Sequence, residues 1–332
     1  MPTTSRQLAR KSDKDESCAA KTKDTNDTTR QVSIDRCYLE ITNRCNLNCT
    51  FCPGTKRKVG DLSDAEFEAL TDQLRGHVRF LYFHLMGEPL LHPRLAFFVI
   101  RAREKGFVPI VTTNGTLLSR RHDLIEARPY KINISLHSHE GNGLSTPAAY
   151  LAHVMTFALA AARKGIIVVL RLWNKGGLDS LNPQLLHAIE TYVPRTWQQR
   201  PDGYKLVPNL YIEYDTAFTW PDDEFPGKEE FHAEEAATPS RASHGGRLFS
   251  SNTQFCHALR NQIGILVDGT LVPCCLDHEG SIPLGNLHCQ TLADILATPR
   301  ARALYDGFTR HQAIEPLCRT CGFARSRLPK EQ

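Results

Sequence analysis

Residues 41–54 read "ITNRCNLNCTFCPG" and carry Cys45, Cys49 and Cys52 in the spacing C-x3-C-x2-C. The preceding residues, "CYLEIT" from 37 to 42, have the composition and alternation of a β-strand. The three cysteines therefore occupy a loop at the C-terminal end of the first strand. Three thiols are one short of a closed tetrahedral zinc site. His77, His84 and His92 are within sequence reach, and none stands at a characteristic metal-ligand spacing.

Downstream of this loop, strand and helix patterns alternate. Ser63 and Glu66 have capping-box spacing and precede Phe67, Leu70 and Leu74 on one helical face. "VRFLYFHLM" (78–86) is a continuous apolar run of the kind found in strands buried on both sides. Pro93 predicts the start of a second helix lined by Leu95, Phe98, Val99 and Ala102 and ended by Gly106. Strand "FVPIVTT", a short helix near Asp123–Ala127 and strand "KINISLH" follow. A longer helix is expected from Thr146 and Pro147 to Gly165, then strand "IIVVLRLW", a helix from Asn182 and Pro183, and strand "NLYIEY". Six strands joined by helices imply a parallel sheet with right-handed crossovers. A complete eight-unit barrel takes about 250 residues, more than lie between 37 and 214. The expected fold is α/β, a partial (β/α)6 barrel whose site lies at the strands' C-terminal ends, where the cysteine loop falls.

Composition bounds the remainder. The chain has 332 residues, 41% of them hydrophobic, enough for a core of ordinary size. No apolar run approaches the roughly 20 residues of a membrane helix, and the first 30 residues lack a secretory signal, so a cytoplasmic protein with no membrane partner is expected. In that compartment the 11 cysteines read as metal ligands rather than as a disulfide frame. The 40 basic and 36 acidic residues are interspersed, and their net charge of +4 gives nucleic acid little support. Residues 1–31, polar and poor in large apolar side chains, read as a disordered tail in which Cys18 has no expected role. The barrel is expected over 32–214, an acidic, proline-containing linker or lid over 215–255, a cysteine-bearing region over 256–323 and a short tail over 324–332.

The cysteine spacing, in a loop after the first strand of a partial barrel, resembles the cluster motif of the radical S-adenosylmethionine (SAM) superfamily. The resemblance implies that Cys45, Cys49 and Cys52 are the catalytic ligands of a [4Fe-4S] cluster whose fourth iron is left to S-adenosylmethionine. "MGEP" (86–89) resembles the family's Gly-Gly-Glu-Pro, with Met86 in place of the first glycine and Gly87 and Glu88 as the cofactor-binding residues. Phe51 matches the aromatic position beside the adenine, and Asn114 with Gly115 in "TTNG" matches the turn toward the cofactor. Ser135 and Arg171 match positions that meet the ribose and the methionine carboxylate. His137 and His139 follow Ser135 and either face the substrate or serve an ordinary structural role.

The C-terminal region has a second group: Cys256, "DGTLVPCC" with Cys274 and Cys275, and Cys318-x2-Cys321. Strand "IGILV", a turn at Asp268-Gly269 and strand "TLVPCC" would form a hairpin presenting one of the two adjacent cysteines. Gly269-x4-Cys274 and the terminal pair resemble SPASM and twitch extensions, which hold auxiliary clusters. This implies a small cysteine-rich α+β extension with Cys256, Cys274, Cys318 and Cys321 around one auxiliary [4Fe-4S] cluster. Cys275 is the rival to Cys274, and zinc the rival to the cluster. The full SPASM pattern has seven cysteines and two auxiliary clusters, whereas no cysteine follows Cys321. Cys37 and Cys289 have no motif partner and read as structural.

The implied function is reductive cleavage of S-adenosylmethionine to a 5′-deoxyadenosyl radical that abstracts hydrogen from a substrate C–H. The auxiliary cluster would support oxidation or radical cross-linking of a peptide or small molecule, with an electron donor such as flavodoxin or ferredoxin. Two other readings are a non-catalytic iron–sulfur sensor or electron carrier, and a related enzyme acting on RNA. The RNA reading rests on Arg300, Arg302, Arg310, Arg319, Arg325 and Arg327, a grouping more typical of a solvated surface.

Overall fold

In the computed structural model, which describes residues 34–142, 148–221 and 256–327, the chain alternates strand and helix from the outset. β1 (Arg36–Leu39) is followed by α1 (Asp64–Leu74), β2 (Phe80–Tyr82), α2 (Leu95–Glu104), β3 (Val108–Thr113), α3 (Asp123–Ala127) and β4 (Lys131–Ser135). Next come α4 (Ala148–Arg163), β5 (Ile167–Lys175), α5 (Asn182–Glu190), β6 (Gln198–Arg200), β7 (Gly203–Val207) and β8 (Leu210–Thr216). The C-terminal part holds β9 (Gln262–Ile265), β10 (Thr270–Val272), β11 (Gly285–Asn286), α6 (Leu292–Ala297), α7 (Pro299–Thr309), α8 (Pro316–Thr320) and α9 (Gly322–Ser326).

Strands β1, β2, β3, β4, β5 and β8 are parallel neighbours in that order. They form the six-stranded partial barrel that the alternation predicts. Side chains obey the strand period of two: Cys37, Leu39, Leu81, Phe83, Leu170 and Ile212 are buried in the main core, while Tyr38, Tyr82, Arg171 and Glu213 belong to the opposite face. The capping box at Ser63 and Glu66 forms as expected. Phe67 of α1 stacks on Phe98 of α2 with ring centroids 4.2 Å apart, worth about 0.5–1.5 kcal/mol beyond the area buried.

Several boundaries differ from the sequence reading. The apolar run 78–86 yields a strand only at Phe80–Tyr82, because the chain then leaves the sheet to build the loop carrying Glu88. The second helix begins at Leu95 rather than Pro93, after a 3-10 turn at Pro89–Leu91 that the Glu88 side chain caps. Thr146 and Pro147 lie outside the described residues, as do residues 222–255 of the expected linker and the tail 1–31. The hairpin of β6 and β7 was not foreseen; it continues the sheet antiparallel beyond β8.

The C-terminal extension is joined to the barrel at the other edge. β9 pairs in parallel with β1, from Arg36 opposite Gln262 to Leu39 opposite Ile265. β10 and β11 then add antiparallel strands, giving one 11-stranded sheet. Among the described residues no helix is long and apolar enough to cross a membrane.

Candidate metal centres and cofactor site

The cysteine loop leaves β1 and is held from three sides. Arg44 Nε and Nη2 donate to Asp61 at 3.1 and 3.0 Å, and Asn43 Nδ2 donates to the Lys58 carbonyl at 2.9 Å, closing the loop on its own return. The segment after β4 clamps the middle: the Thr50 amide donates to the Gly141 carbonyl at 2.8 Å, and the Asn48 amide to Asn142 Oδ1 at 3.0 Å. Asn142 Nδ2 also donates to Cys49 Sγ at 3.1 Å. Asn114 Nδ2, after β3, donates to Asn46 Oδ1 at 3.0 Å. The three cysteines thus share one braced loop, with Cys45 exposed, Cys49 buried and Cys52 half-buried. The Cys45 thiol, partly desolvated although the residue is exposed, is raised in pKa chiefly by that desolvation, with Glu88 and Cys49 adding repulsion to its anion. Thiolates gathered under such repulsion need a cation, which suits a site for positively charged iron.

Gly87 and Glu88 sit against this loop. The Glu88 amide donates to the Arg44 carbonyl at 2.6 Å. Gly87 has φ +79°, and a Cβ there would stand 2.6 Å from the Thr42 carbonyl oxygen and 2.7 Å from that of Arg44. Only glycine lets the two backbones meet. We expect Gly87→Ala to cost roughly 3 kcal/mol, combining the left-handed backbone penalty with overpacking. Urea unfolding measures this, and a loss below about 1 kcal/mol would mean that the two loops separate readily.

The Glu88 carboxylate is almost fully buried and accepts from Thr113 Oγ1 at 2.7 Å, the Asn114 amide at 2.7 Å and the Leu90 amide at 2.9 Å. These donors favour the charged form, yet burial dominates and pushes the carboxyl up to about 7. Such a group holds its proton more tightly folded than unfolded. Its contribution to stability is complete below the ordinary value of 4.5 and is lost as pH rises to about 7. In cofactor-free protein, Glu88→Gln should remove this component of the pH dependence. Denaturant titrations across that window check it; unchanged curvature would count against a protonated Glu88. A cofactor ammonium placed beside this carboxylate would restore its charge.

Phe51 lies against His137, with ring centroids 5.0 Å apart. A Cβ on Gly141 would stand 2.4 Å from the Phe51 ring, so this glycine makes room for the aromatic side chain. Asn114 turns at the end of β3, its carbonyl accepting from the Tyr150 hydroxyl at 2.8 Å. Ser135 ends β4 directly beside Arg171 of β5. The structure places the Arg171 side chain on the barrel's inner face, with its guanidinium 4.1 Å from the centre of the Trp173 ring and Nε 3.8 Å from Glu213. Burial keeps His137 neutral, lowering its pKa to about 4; its Nδ1 lies 3.2 Å from the Arg171 carbonyl. His139 stacks on Tyr150 at 5.0 Å.

Four cysteines of the second group lie around a single cavity. Cys256, Cys274, Cys318 and Cys321 line one cavity together with Pro221, Pro273, Leu276, Asp277 and Leu317. Cys275 is not among its lining residues. It turns toward Tyr38, whose hydroxyl hydrogen-bonds to it, and packs beside Leu85, Met86 and Val272. Burial, reinforced by Cys275, Cys256 and Cys318, raises the Cys274 thiol well above its ordinary pKa. Cys256 is pushed up to about 11, again mainly by burial. Four thiols crowded in an apolar cavity are poor thiolates without a metal and good ones with it. The donor set therefore fits an iron–sulfur centre. No group of three or more His, Cys, Asp or Glu side chains forms a ready cage for a single metal ion among the described residues. Cys37 is buried in β1, and Cys289 is disulfide-bonded.

One residue that motif reading missed joins both regions. Glu40, fully buried, accepts from Arg57 Nη1 and Nη2 at 2.8 and 2.6 Å, from the Met86 amide at 3.1 Å and from the Val267 amide at 2.9 Å. Its sequence context, one position beyond a strand, carried no signal of this role. Three of the C-terminal arginines, though exposed, are engaged within the chain: Arg300 pairs with Glu315, Arg327 with Asp215, and Arg319 donates to the Ala313 and Ile314 carbonyls.

Comparison with known proteins agrees with this geometry. Residues 39–172 match the radical SAM superfamily and residues 256–322 an iron–sulfur cluster-binding domain, SPASM. Residues 39–172 are thus a radical SAM domain and residues 256–322 a SPASM domain. These domains imply a [4Fe-4S] cluster, S-adenosylmethionine and auxiliary iron–sulfur clusters. A tungsten-containing aldehyde ferredoxin oxidoreductase cofactor-modifying protein of Pyrococcus furiosus is 37% identical over 86 residues, which are 25% of this chain and 24% of that protein. An S-adenosyl-L-methionine-dependent 2-deoxy-scyllo-inosamine dehydrogenase of Niallia circulans is 31% identical over 90 residues, 25% of this chain and 36% of that one. The match thus spans between about a quarter and just over a third of these curated relatives. Among solved structures, BtrN in complex with AdoMet and 2-DOIA aligns over 87% of this chain and 92% of its own, with TM-score 0.52 and 18% identity. Streptococcus suis SuiB aligns over 87% and 71%, with TM-score 0.53 and 15% identity. At such identities the likeness is one of fold.

Proposed function

We propose that this chain is a radical SAM enzyme that abstracts hydrogen from a substrate C–H in its barrel and completes an oxidation or cross-linking with help from one auxiliary cluster. The observation that carries the reading is the packing of Gly87 and Glu88 against the loop bearing Cys45, Cys49 and Cys52, which sets a buried carboxylate within electrostatic reach of the Cys45 thiol. Those thiols would hold a cluster with one iron left to the cofactor. When bound, the cluster and S-adenosylmethionine supply one-electron reductive chemistry that ends in hydrogen abstraction.

The residues of the chain bind and orient. Glu88 accepts the cofactor's ammonium, held in place by Thr113 and the Leu90 and Asn114 amides. Phe51 offers its ring to the adenine, and Asn114 and Ser135 border the sugar. The carboxylate contact expected of Arg171 competes with its engagement at Glu213 and Trp173, and we read it as a residue of the barrel lumen. Cys256, Cys274, Cys318 and Cys321 would supply four protein ligands to the auxiliary cluster, a set suited to electron transfer rather than to binding substrate. A sensor or carrier has no use for the buried carboxylate beside the open position.

Anaerobic reconstitution followed by iron and sulfide determination, then dithionite reduction with S-adenosylmethionine, tests this. About eight irons per chain and 5′-deoxyadenosine are expected. Stoichiometric zinc, or full iron loading without cofactor cleavage, would sink the proposal.

A further inference from the structure

The inner face of the barrel carries polar groups that the cofactor site does not use. Arg171 and Glu213 lie side by side across β5 and β8, next to Ser135 of the cofactor site. Arg171 Nε and Glu213 Oε2 are 3.8 Å apart, too far for a hydrogen bond, and both atoms are buried without a hydrogen-bond partner. Trp173 Nε1, Asn133 Oδ1 and His84 Nδ1 are buried and unpartnered as well. Strand alternation puts Asn133, Arg171, Trp173 and Glu213 on one face, and His84 reaches the same space beside Tyr38 and Tyr82, 5.4 and 5.9 Å between ring centres. Burial and the nearby Arg171 keep His84 neutral, so its ring can both donate and accept.

A buried polar group left unpaired costs about 1–3 kcal/mol. Five of them facing one space are therefore better explained by a ligand than by the fold. The set is mixed: Arg171 and Trp173 offer donors, Glu213 and Asn133 acceptors, and His84 either. Hydroxyl groups both donate and accept, and match such a set without a fixed pattern. Arg171 and Glu213 offset one another, and Lys131, on the same face and within electrostatic reach of both, adds one further cation, short of the cluster a polyphosphate asks for, while the aromatic faces of Tyr38, Tyr82 and Trp173 suit the C–H faces of a ring. The row is close to the chemistry, since His137 bridges from the Arg171 carbonyl to Phe51.

We propose that the barrel lumen binds a compact, hydroxyl-rich molecule of low net charge through Arg171, Glu213, Trp173, Asn133 and His84. That this molecule is the substrate rests on the proposed reaction; the binding itself does not.

Anaerobic calorimetric titration of the reconstituted, S-adenosylmethionine-loaded protein with glucosamine and myo-inositol tests the assignment, with GTP and a blocked hexapeptide as counter-probes. Saturable binding of a hydroxyl-rich probe is expected, weakened about tenfold in both Glu213→Gln and Trp173→Phe, the loss of roughly one buried hydrogen bond. Trp173→Phe keeps an aromatic side chain while removing the indole N–H, and a retained melting temperature separates lost binding from lost fold. Binding that survives both substitutions, or preference for GTP or the peptide, overturns the proposal. Wild-type protein that cleaves the cofactor yet binds neither hydroxyl-rich probe also overturns it, whereas binding without cleavage supports it and defeats only the proposed reaction.

Discussion

Cys49→Ala protein, reconstituted anaerobically, should form no detectable 5′-deoxyadenosine, while Cys274→Ala should lose about four irons per chain and still form it in the absence of substrate. The contrast arises because the two groups of cysteines are built separately. Cys49 is buried under the segment after β4, its sulfur accepting from Asn142 Nδ2 at 3.1 Å in a loop braced by Asn114 and Arg44. No other cysteine of that loop can take its place, since Cys45 and Cys52 are already committed by the motif. Cys274 lies in the cavity of the C-terminal extension with Cys256, Cys318 and Cys321, and Cys275 faces the other way. Iron analysis and chromatography of the quenched reaction read both variants at once. Cleavage in Cys49→Ala would remove the assignment of the open cluster, and full iron content in Cys274→Ala would shift the auxiliary ligand to Cys275.

The second large effect is expected far from any metal ligand. Glu40→Ala should destabilise the fold by about 3–5 kcal/mol, the range for breaking one side of a buried ion pair. The loss strands the Arg57 guanidinium, and it also removes the acceptor of the Met86 and Val267 amides. These amides belong to the loop that carries Glu88 and to the hairpin that leads to Cys274. Denaturant unfolding measures the loss, and cofactor affinity should fall with it. Glu40→Leu combined with Arg57→Met should recover part of the stability, because no charge is then left unpaired. A single substitution costing under 1 kcal/mol would show that Arg57 reaches solvent at little expense.

The alternation of strand and helix was legible because each element carries its own period. α1 shows this, with its capping box and Phe67, Leu70 and Leu74 in register. The cysteine groups stand out in the sequence by their spacing, and Cys256, Cys274, Cys318 and Cys321 line one cavity. Partner choice was not legible. Nothing in "IGILV" says that it pairs with β1, since an apolar strand names its face and not its neighbour. The β6–β7 hairpin escaped because Gln198–Arg200 is exposed throughout and carries no apolar alternation. Glu40 and Asn142 escaped for a related reason: their partners lie up to 227 residues away, beyond any local pattern. The apolar run 78–86 overstated β2 because Leu85 and Met86 are buried outside the sheet, against Leu266 and Val272.

The pairing of β1 with β9 also bears on how the chain is made. Arg36–Leu39 leaves the ribosome among the first strands of the barrel, but the backbone groups on its outer edge wait for Gln262–Ile265, more than two hundred residues later. Until then β1 is an open edge of the kind that templates aggregation. Closing so long a loop is also the slow part of folding for a high-contact-order topology. During synthesis the nascent barrel therefore exposes that edge for longer than a barrel whose first strand is sealed early. A chain cut after β8 would keep that edge permanently open, so the extension serves as a folding closure as well as a holder of cysteines.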